Sequence, residues 1–444
     1  MAKNTLAPQP ISTLDKVYMG ILLVIFGGIV LHAPLTVAFS SLLPQFELII
    51  KSWKEILMLV AAVLMLIAMH RHKALGIFGE PLMVAVLMYA VIHVLTAISF
   101  MGAVSLESVL AGFLIDLRYM LFFVLVYVAA RLHPGLRRPF VAVGIVGALI
   151  VTVFATLQVF VLPYDVLKYI GYGAGTIVPY LSLDQNYDYI RINSTLRGPN
   201  SLGAYVMIVL ACVAAWVIAK WRSIRPAQAT LAGVLTIGSL VALWASYSRS
   251  ALVATGVALA IVIGVMLFKK YGKIIVLIGA LMAITLGLGL FAARDSDFVA
   301  NIVLHDNPGT GAAVTSNEGH IESLQDGFNR FIRQPFGAGI GSTGSASLLG
   351  DKPLIIENQY LFIAHEVGWL GLLLFVMIVV GVFTRLWDRR RHWLALGVFA
   401  SGIGMLLINI LLPIWVDDTV AIVWWGLAGL AIARRNIDYA GKSA

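Results

Sequence analysis

Apolar runs of about 17–25 residues, each long enough to cross a bilayer as a helix, recur along the whole chain. No other feature restricts the fold as much. In hydrocarbon every backbone amide needs an internal partner, and a helix supplies one. The runs fall near 17–39, 53–69, 82–100, 107–130, 140–162, 201–219, 229–247, 250–268, 274–292, 362–384, 393–412 and 416–433. They predict an all-α polytopic membrane protein with about twelve transmembrane helices. Composition agrees: 60% of residues are hydrophobic and 12% charged, and soluble domains carry about twice that charged fraction. The first sixteen residues are polar and no small-residue cleavage site follows the first run, so no signal peptide is expected. The single cysteine, Cys212, lies inside an apolar run, which excludes an intrachain disulfide.

Charge placement orients the spans. Alternate connections carry "HRHK" (70–73), "RLHPGLRR" (131–138), "KWRSIR" (220–225), "KKYG" (269–272) and "RLWDRRRH" (385–392). With Lys3, Lys16, Arg434, Arg435 and Lys442 in the tails, this side holds most of the 31 basic residues. The positive-inside rule makes it cytoplasmic, with both termini inside. The net charge of +9 therefore reflects membrane topology, and no nucleic-acid partner is expected. The outer side holds two long polar connections, 163–200 and 293–361, and loops of that length usually carry function. The chain divides into a bundle over 1–292 that includes the outer loop 163–200, a large outer loop over 293–361, and the last spans with a cytoplasmic tail over 362–444.

Five of the basic residues off the cytoplasmic side cluster in three outer segments, and all are arginine: Arg191 and Arg197, Arg249, and Arg330 and Arg333. A guanidinium stays charged, and its planar fork matches phosphate oxygens in pairs. The pattern suits a binder of a lipid-linked phosphate or pyrophosphate. The structural alternative is that each arginine reaches interfacial water or pairs with an acid such as Asp184, Asp188 or Asp326. Arg249 lies in "SYSRSAL", a connection so short that its two spans must form a tight hairpin. Ser246, Ser248 and Ser250 can cap backbone groups there, and the amides of a new helix point the same way as Arg249.

In the second long loop, residues 318–333 read as a surface helix. Ile321, Leu324, Phe328, Phe331 and Ile332 share one arc, and Glu322, Asp326, Arg330 and Arg333 lie opposite. Such a helix lies on a membrane or packs over the bundle. Pro335 ends it. Gly337, Gly339, Gly341 and Gly344 then make a turn that lets backbone approach a ligand. His320 can exchange a proton near neutral pH and is the candidate base, with Glu318 or Glu322 as carboxylate alternatives. A histidine that only caps the helix is the structural alternative. His305 and His365 have no local feature to separate them. "RDSD" (294–297) and "DD" (417–418) are short acidic patterns. With no zinc-type His or Cys spacing present, no metal is expected. Asp116 and Arg118, two apart in one span, read as a local pair.

Three segments together carry a family resemblance. "RINSTLRGPNSLGAY" (191–205), "SYSRSALVATGVAL" (246–259) and "GHIESLQDGFNRFIRQPFGAGIGSTG" followed by "ENQYLFIAHEVGWLGLLLF" resemble, in order and on one side of the membrane, the O-antigen ligase and O-antigen polymerase superfamily of bacterial membrane glycosyltransferases. The resemblance implies a GT-C-like fold in the bacterial inner membrane with its active site facing the periplasm. It implies a glycan donor on undecaprenyl pyrophosphate. The acceptor would be lipid A-core in a ligase, or a second lipid-linked glycan in a polymerase making O-antigen or exopolysaccharide. Transfer in the ligases inverts the sugar without metal or other cofactor. The family's two critical arginines and loop histidine map to Arg191, Arg249 and His320, and Arg197, Arg330, Arg333, Glu318 and Glu322 stand as substrate-binding candidates. The chain departs from the pattern at Glu357-Asn358, where His-Asn is frequent, and at Leu196-Arg197, where Phe-Gly is common. A lipid-linked glycan transporter is the rival from another class, since charged residues inside spans can line a path.

Overall fold

The computed structural model describes residues 11–183, 186–292, Ser296 and 316–433. Asp184, His305 and the acidic residues of "RDSD" lie outside them. The fold is all-α apart from one small hairpin. Its helices are α1 (Thr13–Gly28), α2 (His32–Leu42), α3 (Glu47–Lys51), α4 (Trp53–Arg71), α5 (Pro81–Ser99), α6 (Leu106–Leu132), α7 (Arg137–Phe160), α8 (Pro199–Lys220), α9 (Pro226–Ala245), α10 (Arg249–Ala292), α11 (Ser316–Arg333), α12 (Gly344–Ser347), α13 (Gln359–Asp388), α14 (Trp393–Leu411) and α15 (Asp418–Ile432).

Among the described residues ten helices are long and apolar enough to cross a membrane, two fewer than the sequence suggests. The stretch 274–292 continues α10 past a bend at Tyr271 (φ −127°, ψ 20°) instead of following a loop. The last apolar run folds as α15, whose 15 residues span about 22 Å at 1.5 Å per residue. That is short of a hydrocarbon core of about 30 Å. Its apolar residues are buried on every side, as expected of a helix without a polar face. It forms the centre of the bundle, packed on α6, α8, α13 and α14. Trp415, Trp424 and Trp425 are fully buried around it, and the Trp424 indole donates to Val398 O at 3.1 Å.

The short connections leave successive helices antiparallel and give the bundle two ends. At one end Asp15, His72, Arg131, His133 and Arg389 gather; Arg389 donates to Ala431 O at 2.7 Å and Arg131 pairs with Glu80 at 2.7 Å. This is the basic end. The other, the loop end, carries the connection from α7 to α8 and α11. The α7–α8 connection contains strands β1 (Tyr180–Leu183) and β2 (Asn186–Ile192), paired antiparallel with Leu181 opposite Arg191. No strand is foreseen in the sequence, because the segment lacks a long alternating run.

Helix α11 forms where the 3.6-residue periodicity places it, and it packs on α13 through Gly327, near Ile356 and Leu361. The Trp369 indole donates to Phe331 O at 2.8 Å. Ile321, Leu324, Phe328 and Ile332 stay exposed, so most of the apolar arc is covered by no described residue. In the glycine turn that follows, Gly337 and Gly341 meet protein backbone closely. A Cβ on Gly341 would sit 2.0 Å from Ser108 O of α6, and one on Gly337 would sit 2.7 Å from Glu366 O. Helix α13 breaks at Gly368 (φ 71°), and the freed His365 and Glu366 carbonyls accept from Ala338 N (2.6 Å) and Gly339 N (3.3 Å). Only glycine tolerates these approaches.

Candidate functional site

The loop end brings two of the three arginine segments together. Helix α9 ends at Ala245 and α10 begins at Arg249, so residues 246–248 make the turn. Ser246 Oγ accepts from Ser248 N at 3.2 Å, and Ser248 O accepts from Leu252 N at 2.9 Å, opening α10. The turn closes because Tyr247 takes a left-handed conformation (φ 45°), uncommon for a residue with a Cβ. Gly203 of α8 lets it dock: a Cβ there would lie 2.7 Å from Ala251 Cβ and 3.1 Å from Ser246 Oγ. Arg191, at the end of β2, then reaches across. Its Nε donates to Ser246 O at 2.8 Å, and one terminal nitrogen donates to Asn200 Oδ1 at 2.7 Å. Tyr189 packs against Tyr247 with ring centroids 6.4 Å apart. Burial, with Tyr189 beside it, raises the Tyr247 phenol above its ordinary pKa, so it remains a neutral donor. The chain after Arg191 is equally fixed. Ser194 is fully buried and left-handed (φ 51°), with its amide on Gln158 Oε1 (3.1 Å) and its hydroxyl on Val151 O (2.8 Å). Two of the three non-glycine residues with positive φ among those described thus lie beside the loop-end arginines, where strain often accompanies function.

Arg197 is exposed and makes no hydrogen bond or ion pair among the described residues. It lines a cavity of about 670 Å³ together with Asn200, Ser201, Ile355, Ile356 and Asp417. Deeper in the same cavity lies a charge network that the sequence reading missed. Asp418 accepts from Lys54 Nζ at 2.8 Å, from His32 Nε2 at 3.0 Å and from Arg118. Glu55 pairs with Lys54 at 3.0 Å and lies 3.7 Å from Arg118. The Trp53 indole can only donate, so His32 Nδ1, 3.0 Å away, is an acceptor and the ring proton sits on Nε2. Two cations, two carboxylates and a neutral imidazole therefore balance. Asp417 caps α15 and accepts from Ser201 Oγ at 2.6 Å.

These contacts correct the reading of Asp116 and Arg118 as a local pair. Residues two apart on a helix point to different sides. Arg118 turns to Asp418, Glu55 and Val416 O, while Asp116 faces Glu366, Tyr89 and His93. Arg118→Leu is expected to destabilise the fold by about 3–5 kcal/mol, since it strands buried carboxylates. Thermal unfolding in detergent measures the loss, and Arg118→Leu/Asp418→Asn should recover part of it.

His320 lies on the first turns of α11, and its Nδ1 is 2.5 Å from Glu357 Oε2. Glu357 sits just before α13, which Asn358 caps by accepting from the Tyr360 and Leu361 amides. Its own amide donates to Ser323 Oγ at 3.1 Å, a second tie to α11. The carboxylate partner of the histidine is thus Glu357, 37 residues away in sequence. Glu322 is exposed, and Glu318 lies in α11 with its side chain outside the described set. Arg330 pairs with Asp326 at 2.7 Å, one helical turn away, as the structural alternative has it. It also lines a second cavity, of about 1140 Å³, with His365, Ser342, Asp351 and Lys352. Arg333 is exposed at the end of α11.

The bundle is that of a polytopic helical membrane protein, with a cavity lined by charged and polar residues at its loop end. Residues 234–376 match the family model Wzy_C, described as O-antigen ligase. The matched stretch runs from α9 through Arg249, α11 and the glycine turn into α13, and so contains Arg249, His320, Arg330 and Glu357. Arg191 and Arg197 lie before it and join the site only in three dimensions. Comparison with curated proteins finds no match.

Proposed function

We propose that this protein is an O-antigen ligase-like glycosyltransferase of the bacterial inner membrane. It moves a glycan from undecaprenyl pyrophosphate to an acceptor hydroxyl on the periplasmic side, with both termini cytoplasmic. The observation that carries the reading is the tie from Arg191 to the hairpin that starts α10 at Arg249. It joins two guanidinium-bearing segments and a helix N-terminus at one end of the bundle, beside the cavity that Arg197 lines. A departing pyrophosphate gathers negative charge, and donors fixed in advance stabilise that charge at the transition state. Arg191 and Arg249 hold the diphosphate and Arg197 adds a third cation. The prenyl tail runs down between spans. The acceptor hydroxyl loses its proton to His320, which Glu357 orients. The second cavity, on the far side of the 341–354 turn, has Arg330 and Lys352 in its wall.

The acceptor decides between ligase and polymerase. Glu357, standing where the family often has histidine, is the observation that keeps the polymerase reading alive. Proteoliposomes given lipid-linked donor on one side, with either lipid A-core or a second lipid-linked glycan, test both. A new glycosidic product with lipid A-core is the expected result, and product with the second glycan alone makes the protein a polymerase. Translocation of donor with neither product would make the protein a carrier and end the proposal.

A further inference from the structure

The basic end brings together three residues that no sequence pattern connects. Asp15 lies in the first turn of α1, His72 follows α4 and His133 follows α6. His72 Nε2 is 3.1 Å from Asp15 Oδ2, and His133 Nε2 is 3.5 Å from Asp15 Oδ1. One ligand atom from each residue falls within 4.8 Å of the other two. The two imidazoles meet edge to face with centroids 5.4 Å apart.

We propose that Asp15, His72 and His133 form a binding site for a divalent transition-metal ion of the zinc type, which clamps α1 to the ends of α4 and α6. Bonds of about 2.1 Å at the tetrahedral angle place ligand atoms about 3.4 Å apart. The separations of 3.1 Å (to Oδ2) and 3.5 Å (to Oδ1), each to its own carboxylate oxygen, both lie close to that value. The site also holds two buried polar atoms that meet each other only at 3.5 Å, longer than an ordinary hydrogen bond. His133 Nε2 and Asp15 Oδ1 are buried and make no hydrogen bond, although their residues are only 9% and 2% exposed. Buried polar atoms are rarely left so, and an ion between them would satisfy both. The carboxylate is already oriented: Ser12 Oγ donates to Asp15 Oδ2 at 2.8 Å and accepts from Asp15 N at 3.2 Å. Such outer contacts fix a ligand for metal. His72 is half-exposed, so it can swing in to shorten its distance to His133, and a water completes the fourth position.

Arg71 donates to Ser12 Oγ at 3.4 Å, which puts a cation behind the hydroxyl that holds the carboxylate. One carboxylate and two neutral imidazoles leave a bound dication with a single net positive charge, a combination common in zinc sites.

Full-length protein, purified without a polyhistidine tag and stripped with EDTA, is titrated with Co²⁺ and then with competing Zn²⁺. One Co²⁺ per chain with visible d–d bands is expected, displaced by one Zn²⁺ and accompanied by a higher unfolding temperature. H72A should weaken binding by roughly a hundredfold or more, since even outer-shell changes cost ten- to a hundredfold. Its side chain is exposed, so the fold should survive, and a monodisperse elution profile checks that. H70A, one turn of chain away and outside the cluster, should bind as the unaltered protein does. No stoichiometric Co²⁺ in the unaltered protein, or equal binding in H72A, would overturn the site. Glycosyl transfer need not be measured, so failure of the proposed function leaves this test intact.

Discussion

Arg249→Ala is expected to lower glycan transfer by roughly two to three orders of magnitude, the scale for one preorganised donor to a developing anion. The fold should tolerate the change. Alanine starts a helix at least as well as arginine, and Tyr247, Ser246 and Ser248 shape the turn before it. The loss should fall on kcat as much as on kcat/KM, because the charge it answers grows only as the glycosidic bond breaks. Arg249→Lys should recover only part, since an ammonium cannot pair with two phosphate oxygens in a plane. The assay is product formation in proteoliposomes, with membrane insertion and monodispersity as controls. Undiminished transfer in Arg249→Ala would take this residue, and the diphosphate reading of the hairpin, out of the mechanism.

His320→Ala should cost about 10²–10⁴-fold, the range for a positioned general base. The more informative variant is Glu357→Gln. It keeps the shape and a hydrogen-bonding partner 2.5 Å from Nδ1 but removes the charge that orients the ring. A fall of about tenfold or more, a fraction of the full base contribution, is expected. Glu322→Gln, at an exposed position of the same helix, should change little. If Glu322→Gln proves the damaging variant and Glu357→Gln is silent, the pairing seen here is structural and the base lies elsewhere.

The site was partly legible in the sequence because some of its parts are local. The hairpin at Arg249 follows from two apolar runs with almost nothing between them. Helix α11 follows from the spacing of Ile321, Leu324, Phe328 and Ile332. The partnerships were not legible. Glu357 lies 37 residues beyond His320, and Ser246 lies 55 beyond Arg191. Arg118 and Asp116 show how proximity in sequence misleads: two residues apart on a helix, they face separate surroundings. The glycines after Pro335 carry a similar lesson. Their pattern signals close approach, but only the packed chain shows that α6 and α13 are what approaches.

What the sequence determined by itself is the class of architecture: helices that cross a membrane, an amphipathic helix in a long connection, and arginines kept away from the basic connections. Hydropathy and periodicity are properties of neighbouring residues, so they survive without a fold. Only the tertiary structure decided that α15 is a short central helix. It alone gathered Lys54, Glu55, Arg118 and Asp418 into a neutral buried network, bound Arg191 to the turn between α9 and α10, and set His72 and His133 on Asp15. Each depends on distances between helices far apart in the chain, and packing fixes those distances.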